Sequence, residues 1–579
     1  MTDGIVIMRR VITSGESEMR MSHASRSGKA AAFCLALLST AVMASPASGA
    51  SWPVYGKDLA NSRSGGHDSP SAREVGSLTQ QWRFSDPDGD FTGTPVVGGG
   101  LLVAGSFAGH VHALDAVTGE ERWMADVGGP INGSAAIDPQ APGGGAVYVP
   151  VAIQDSPRLV ALSLADGSQL WSTVLTDQDG SSVYGSPTYW RGSIYIGTSG
   201  PNGDDSSARG SVVAIDAQSG AVRWQTFTVP PGYDGGPVWS TAALDTATGR
   251  LYVGTGNAYH GEAAETTDAI LALDARSGMI LGHYAATPDD TFSPDSPLGP
   301  DYDFGASPNL IRGPSGSRLV GEGAKSGIYW AVKRSTLQPV WNDLTGPGGA
   351  VGGIIGSTAY DGIRIYGNNA LNGDVWALGR DGKRAWTVAG SGPANFAPVA
   401  VANGVVYTVD PAGSLLARDA QTGERLNRLS LGDASFGGVS IVGGAVYVSV
   451  GIGPAPDPAP QQAGAGSIIA FGDTSRSTAA ETSQPVQQGA TETADRIKLR
   501  IRPRRVEAGD RVRFRFRAMA FGEPLEQAKI RLSGRTTVTN AQGRARLRMR
   551  LTRGRHWARA RHRGYIRDRA EVRARPVRR

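Results

Sequence analysis

Four short phrases between Gly235 and Tyr329 hold residue types that chemistry needs. They are Gly235-Gly-Pro-Val-Trp239, Gly254-Thr-Gly-Asn257, Asp301-Tyr-Asp-Phe-Gly305 and Lys325-Ser-Gly327. Two carboxylates one residue apart, an amide oxygen, an ammonium and a flat aromatic could together hold a hard cation beside a planar anionic cofactor. Calcium takes oxygen ligands of this kind, an indole face can stack on a flat ring, and a lysine ammonium can bond anionic oxygens. Each residue also has a plain structural use. Asn257 could adopt a left-handed turn after its glycine, Trp239 could pack between sheets, Asp301 and Asp303 could cap a turn, and Lys325 could be solvated.

Loops from separate elements must bring these phrases together, and the elements follow from a repeat. A short pattern recurs eight times: an apolar pair, a small or acidic residue, a glycine turn and usually a tryptophan, as in His112-Ala-Leu-Asp-Ala-Val-Thr-Gly-Glu-Glu-Arg-Trp123. Its shared alanines are Ala113, Ala161, Ala214, Ala272, Ala331, Ala377, Ala417 and Ala470, at steps of 40 to 59 residues. Upstream of most copies lie two alternating apolar runs joined by a Gly, Asn or Asp turn, which read as a hairpin. Four strands per unit at this period predict an all-β chain with an eight-bladed β-propeller over residues 51–473. The last copy lacks its Trp strand, whereas an orphan Leu78-Thr-Gln-Gln-Trp-Arg-Phe84 precedes the first. That orphan is expected to complete the final blade and close the ring without a large open edge.

Residues 1–50 read as a secretory signal with an upstream extension. Arg20, Arg26 and Lys29 give a basic start, Ala30 to Met43 an apolar core too short to span a bilayer, and Ser48-Gly-Ala50 a cleavage site. The expected location is secreted or at the cell surface, with no transmembrane segment after signal removal. Cys34, the one cysteine, would leave with the signal. The mature chain would then have no disulfide, no cysteine-ligated metal and no Cys-x-x-Cys-His haem site. Hydrolases with an activated nucleophile are excluded by the lack of a cysteine and of a Gly-x-Ser-x-Gly elbow, and the few histidines show no metal-spaced pair.

The formal charge of +5 conceals an asymmetry. From Asp495 onward the chain holds 28 Lys and Arg against 7 Asp and Glu, and before it 29 against 45. Residues 474–494, rich in Ser, Thr, Gln and Ala, are expected to be a flexible tether. In residues 495–579, Arg511-Val-Arg-Phe-Arg-Phe-Arg517 and Arg544-Ala-Arg-Leu-Arg-Met-Arg-Leu551 alternate strictly, which predicts strands with one apolar and one cationic face. With Thr539-Asn-Ala-Gln-Gly-Arg-Ala545, this stretch resembles bacterial Ig-like β-sandwich modules. It is either a solvated arginine face or an attachment to an anionic polymer such as cell-wall material or nucleic acid.

Over residues 51–473 the chain resembles the quinoprotein alcohol dehydrogenases, especially the polyvinyl-alcohol-dehydrogenase-like branch of the pyrroloquinoline quinone (PQQ) repeat proteins. The resemblance rests on Gly235-Gly-Pro-Val-Trp239, on Asn257 eighteen residues after Trp239, on Asp301-Tyr-Asp and on Lys325. It implies PQQ and Ca2+ as cofactors, Trp239 as the floor of the quinone site, Asn257 as a calcium ligand, Asp301 as catalytic base and calcium ligand, and Lys325 as a quinone contact. Ser199-Gly200, twelve residues after Pro187, matches a cofactor-contacting Ser-Gly, and Asp303 and Asp205 complete the implied metal set. Asp205 stands where the family has Glu, one methylene longer; Asp204 could substitute. Thr287-Pro-Asp-Asp290 lacks a histidine of the family phrase, and residues 291–300 are an insertion before Asp301. The implied reaction is oxidation of a small or polymeric alcohol, with Asp301 taking the hydroxyl proton as hydride passes to a calcium-polarised quinone. The competing readings are a non-catalytic propeller scaffold and a surface adhesin.

Overall fold

The computed structural model describes residues 51–200, 206–293, 296–297, 299–390, 395–453, 466–473, 498–520, 523–525, 528–540, 542–561 and 568–575. The expected signal segment, the whole of the expected tether, and Asp204 and Asp205 lie outside the described residues. The chain divides into two units, residues 1–477 and 478–579.

The first unit is built from eight four-stranded antiparallel sheets. In chain order they span residues 96–126 (sheet 1), 136–174 (sheet 2), 188–227 (sheet 3), 243–285 (sheet 4), 309–344 (sheet 5), 359–388 (sheet 6) and 400–430 (sheet 7). Sheet 8 joins three strands from residues 439–472 to the strand Thr79–Asp86, which pairs with Gly466–Gly472. The orphan segment therefore completes the last sheet, as the repeat predicts.

The recurring tryptophan and glycine have one physical explanation. The Trp on the outermost strand of one sheet packs on the turn glycine of the next and donates its indole N–H to a carbonyl there. Examples are Trp123 to Leu164 O at 2.9 Å, Trp171 to Ala217 O at 3.2 Å and Trp386 to Ala420 O at 3.1 Å. A Cβ on Gly167 would come within 2.6 Å of the Trp123 ring, and its φ of +75° already favours glycine. Trp82 packs on Gly119 in the same way, so the closing strand repeats the contact. Truncating such a Trp to Ala is expected to cost about 3–5 kcal/mol.

Small polar side chains link the innermost strands. The amides of Ser134, Ser186, Thr241 and Ser307 donate in turn to the hydroxyls of Ser186, Thr241, Ser307 and Ser357, all at 2.9–3.0 Å. The segment Trp52 to Ser64 runs across these strands. Its backbone exchanges hydrogen bonds with Val97, Ile137, Leu244, Leu310, Tyr360 and Val401, in sheets 1, 2, 4, 5, 6 and 7. Arg63, fully buried, donates to Val399 O and Val439 O, tying in sheet 8. No repeat or alternation in the sequence marks this segment as a strap across the sheets.

In the second unit one sheet holds Lys498–Arg502, Val512–Ala520 and Arg544–Met549, and a five-stranded sheet includes Lys529–Leu532, Gly554–Arg561 and Asp568–Arg575. Leu499, Ile501, Phe514 and Phe516 of the first share a buried core with Ile530, Leu532, Ala558 and Val572 of the second. Outward from the first sheet, Arg513, Arg515 and Arg517 stand opposite Arg548, Arg546 and Arg544, and Arg500 and Arg502 stand opposite Arg517 and Arg515. No Asp or Glu occurs in these three strands.

Candidate active site

Trp239 lies in the loop leading into the innermost strand of sheet 4, Ala243–Asp245. Its half-buried indole rests on Gly305, where a Cβ would fall 1.9 Å from the ring. Glycine at 305 is thus the condition for the indole's position. Trp239, Gly305, Tyr184, Tyr55 and Phe436 are among the residues lining a central cavity of about 240 Å³, to which residues before the innermost strand of every sheet contribute.

Beside the indole the other predicted residues meet. Lys325 follows the strand Arg318–Gly323 of sheet 5, and its Nζ lies 5.5 Å from the Trp239 ring centroid. The same Nζ is 2.8 Å from Asp301 Oδ1 and 2.8 Å from Asp303 Oδ2. Asp303 Oδ1 accepts the Asn257 amide N–H at 2.9 Å. Asn257 donates its side-chain N–H groups to Ala258 O and Phe292 O, at 2.7 and 2.6 Å, which leaves the carboxamide oxygen as its remaining ligand atom. Asn257 is not in the left-handed region, Asp303 binds another loop rather than capping its own turn, and the Lys325 side chain is only 12 % exposed. The plain structural uses considered for these three residues are not those the structure displays.

Ser199 and Gly200 are buried, and the Gly200 amide donates to the Tyr259 hydroxyl at 3.2 Å. Tyr259 lies close enough to Asp303 for that carboxylate, after burial, to help push its phenol up. Asp205 lies outside the described residues, so its predicted ligand role has no geometry to set beside it.

Two carboxyls that the spacing argument left out belong here. Asp290 accepts the backbone N–H groups of Asp301 and Tyr302, at 3.3 and 2.9 Å, and so positions the loop carrying Asp301. Asp268 is fully buried with neither carboxyl oxygen hydrogen-bonded. Burial first, then Asp303, Asp290 and Asp301, push its carboxyl well above the usual range. Burial and the neighbouring Asp303 likewise push Asp301 up to about 7, against the pull of Lys325. Burial disfavours the Lys325 ammonium, but Asp303 and Asp301 outweigh it and raise the amine. Four carboxyls gathered near one ammonium in a poorly solvated place resist full ionisation, and a bound cation with oxygen ligands would favour their charged forms. The donor set therefore fits the implied calcium. No sequence signal marks Asp268, which ends the turn just before the strand Ala269–Asp274.

The expectation that no histidines form a metal-spaced pair is corrected. His110 and His112, two apart on one strand, share a carboxylate, Asp86. A two-residue spacing on a strand puts both side chains on one face.

A family model described as PQQ_2, outer membrane protein assembly factor BamB, matches residues 73–280. A polyvinylalcohol dehydrogenase of a Pseudomonas species is 30% identical over 350 residues, 54% of this chain and 54% of that protein. A second polyvinylalcohol dehydrogenase, from a Sphingopyxis species, is 28% identical over 454 residues, 65% of this chain and 69% of its own. The match thus spans little more than half the length of the first relative. Among solved structures, quinohemoprotein alcohol dehydrogenase from Comamonas testosteroni shares the fold, with a TM-score of 0.61 at 21% identity over 77% of this chain and 83% of that one. Residues 73–280 thus match the PQQ-repeat model, and the chain is similar in sequence to polyvinylalcohol dehydrogenases and in fold to a quinohemoprotein alcohol dehydrogenase.

Proposed function

We propose that the protein is an extracytoplasmic PQQ-dependent dehydrogenase that oxidises an alcohol, with its eight sheets as the blades of a closed ring and Trp239, Asn257, Asp301, Asp303 and Lys325 as its site. The observation that carries this reading is the convergence of an indole, a carboxamide, two carboxylates and a lysine from separate loops, beside a buried carboxyl with no hydrogen-bond partner. When bound, the quinone supplies the carbonyl that accepts hydride and calcium supplies the Lewis acid that polarises it. Trp239 offers a flat platform for the ring. Asn257 and the acidic residues hold the cation, and Lys325 bonds anionic oxygens.

Asp301 acts as the base that takes the alcohol proton at its carboxylate. A carboxyl lifted toward neutrality has the proton affinity that task needs, because a base works best with a pKa near the working pH. Asp290 fixes the Asp301 backbone, and Asp303 sets the charge beside it. Acting on a small or polymeric alcohol, the enzyme passes its electrons to an external acceptor. Loading the purified protein with PQQ and calcium and assaying dye reduction over several alcohols tests the proposal. Quinone retained together with alcohol-dependent dye reduction supports it, and a protein that keeps no quinone defeats it.

The arginine lattice of the second unit supports a partner for that unit. Cations directly opposite one another across a sheet destabilise it, so Arg500, Arg502, Arg513, Arg515, Arg517, Arg544, Arg546 and Arg548, on three strands that hold no Asp or Glu, suit a polyanion. We infer an anionic cell-wall polymer as that partner. Retention on such a polymer should fall steeply between low and high salt, as screening requires; retention indifferent to salt would contradict it.

A further inference from the structure

Sheets 1 and 8, well separated in the chain from the loops around Trp239, carry a second cluster of chemistry-bearing side chains. His110 and His112 share the strand His110–Asp115 of sheet 1, and Asp86 ends the strand Thr79–Asp86 that completes sheet 8. Asp86 Oδ2 is 3.1 Å from His110 Nδ1 and 3.1 Å from His112 Nε2. His112 Nδ1 in turn is 2.7 Å from Glu121 Oε1. The Asp86 side chain is 3 % exposed and that of His112 is 6 %, and Phe84 and Phe91 pack around the His112 ring.

Both nitrogens of His112 therefore face carboxylate oxygens. A neutral imidazole has one N–H and one lone pair, so a neutral His112 would set a lone pair against an anion. A metal ion between His112 and Asp86, with the imidazole N–H turned to Glu121, removes that conflict, and the geometry suits one. The three ligand atoms lie within 4.8 Å of one another, and a tetrahedral ion with bonds of about 2.0–2.1 Å needs its ligands roughly 3.3 Å apart. Two of the three separations are already close to that value. Glu121, at the far nitrogen of His112, is the outer carboxylate that typically fixes the tautomer of a metal-bound histidine. The His110 side chain is 22 % exposed, which gives an ion a route from solvent and room for a water ligand.

We propose that Asp86, His110 and His112 bind one divalent transition-metal ion of the zinc class, with Glu121 positioning His112. Imidazole with carboxylate suits zinc, copper or nickel rather than calcium, so this site differs in kind from the oxygen-rich cluster around Asp301. Its consequence is mechanical. The ion would clasp the strand that completes the last sheet to the first sheet, at the one place where the ring is closed by residues far apart in sequence. An ion that binds only the folded chain raises its stability with the logarithm of its free concentration relative to Kd.

The test uses the full chain without a histidine tag, stripped of metal and then titrated with zinc, and with copper(II) as a spectroscopic probe. The expected result is one zinc ion per chain at this site, a rise in Tm with zinc, and copper resonance showing two imidazole nitrogens. His110→Asn, at a partly exposed position, is expected to weaken zinc binding at least 10-fold and abolish the Tm rise. Glu121→Gln is expected to weaken it about 10-fold, the usual effect of an outer-shell change. His260→Asn, which alters a different histidine–carboxylate pair, should leave the zinc response unchanged. If the wild-type chain shows no zinc-dependent rise in Tm and no nitrogen-coordinated copper, the cluster is a protonated hydrogen-bond network and the proposal falls, whatever the variants do.

Discussion

The Lys325 ammonium stands 2.8 Å from the Asp301 carboxylate, with the two side chains only 12 % and 8 % exposed. Asp303 meets the same ammonium at the same distance, so two acids share one buried cation. Removing one partner of a buried ion pair leaves a charge without compensation, which typically costs about 3–5 kcal/mol. Lys325→Met should therefore lower stability by that order and abolish quinone retention together. Chemical denaturation and quinone binding on the same preparation check it.

Gly305 gives a more selective probe. Its added Cβ would fall 1.9 Å from Trp239, and the indole must move. Gly305→Ala is expected to keep the sheets intact by circular dichroism, shift Trp fluorescence and weaken PQQ binding at least 10-fold. A variant with unchanged quinone affinity would show that the position of Trp239 is irrelevant to the cofactor.

A third expectation concerns pH. Glu322 is fully buried and neither oxygen has a hydrogen-bond partner, so burial holds its carboxyl well above the usual range. The folded chain then keeps a proton that the unfolded chain releases above a pH of about 4.3. This contribution to stability is whole below that pH and declines as pH rises, by up to about 1.4 kcal/mol per unit. Glu322→Gln should flatten the fall in denaturation free energy between pH 5 and 8, leaving a smaller slope than in the wild type.

Asp268 predicts a response to cation. Its two unpartnered oxygens sit near Asp303, Asp290 and Asp301. Without calcium, Asp268→Asn should melt higher than the wild type at raised pH, because it removes a carboxyl whose ionisation burial and three neighbouring acids oppose. With calcium the rise in Tm should be smaller than in the wild type. Equal calcium shifts in the two proteins would remove Asp268 from the cation's surroundings.

Much of this was legible in the sequence because it is local. The alternation of apolar residues, the turn glycines and the tryptophans recur within each unit, and each has a local cause, such as Gly167 beneath Trp123. Even the closing strand was readable, since Trp82 repeats the signal of the missing one. The meeting of Trp239, Asn257, Asp301 and Lys325 was read through family spacing, not from the residues themselves, each of which had an ordinary use. The strap from Trp52 to Ser64, the burial of Asp268 and the pairing of Asp86 with His110 and His112 were not legible. Each depends on which strands the ring brings together across tens or hundreds of residues, and short-range pattern carries no trace of that.

Steady-state oxidation by the purified protein loaded with PQQ and calcium tests the central claim most directly, with primary, secondary and polymeric alcohols compared in wild type and Asp301→Asn. The account predicts alcohol-dependent dye reduction by the wild type, and retained quinone with activity lowered at least 100-fold in the variant. Wild-type protein that holds no PQQ, or a variant that oxidises alcohol as fast as the wild type, would contradict it.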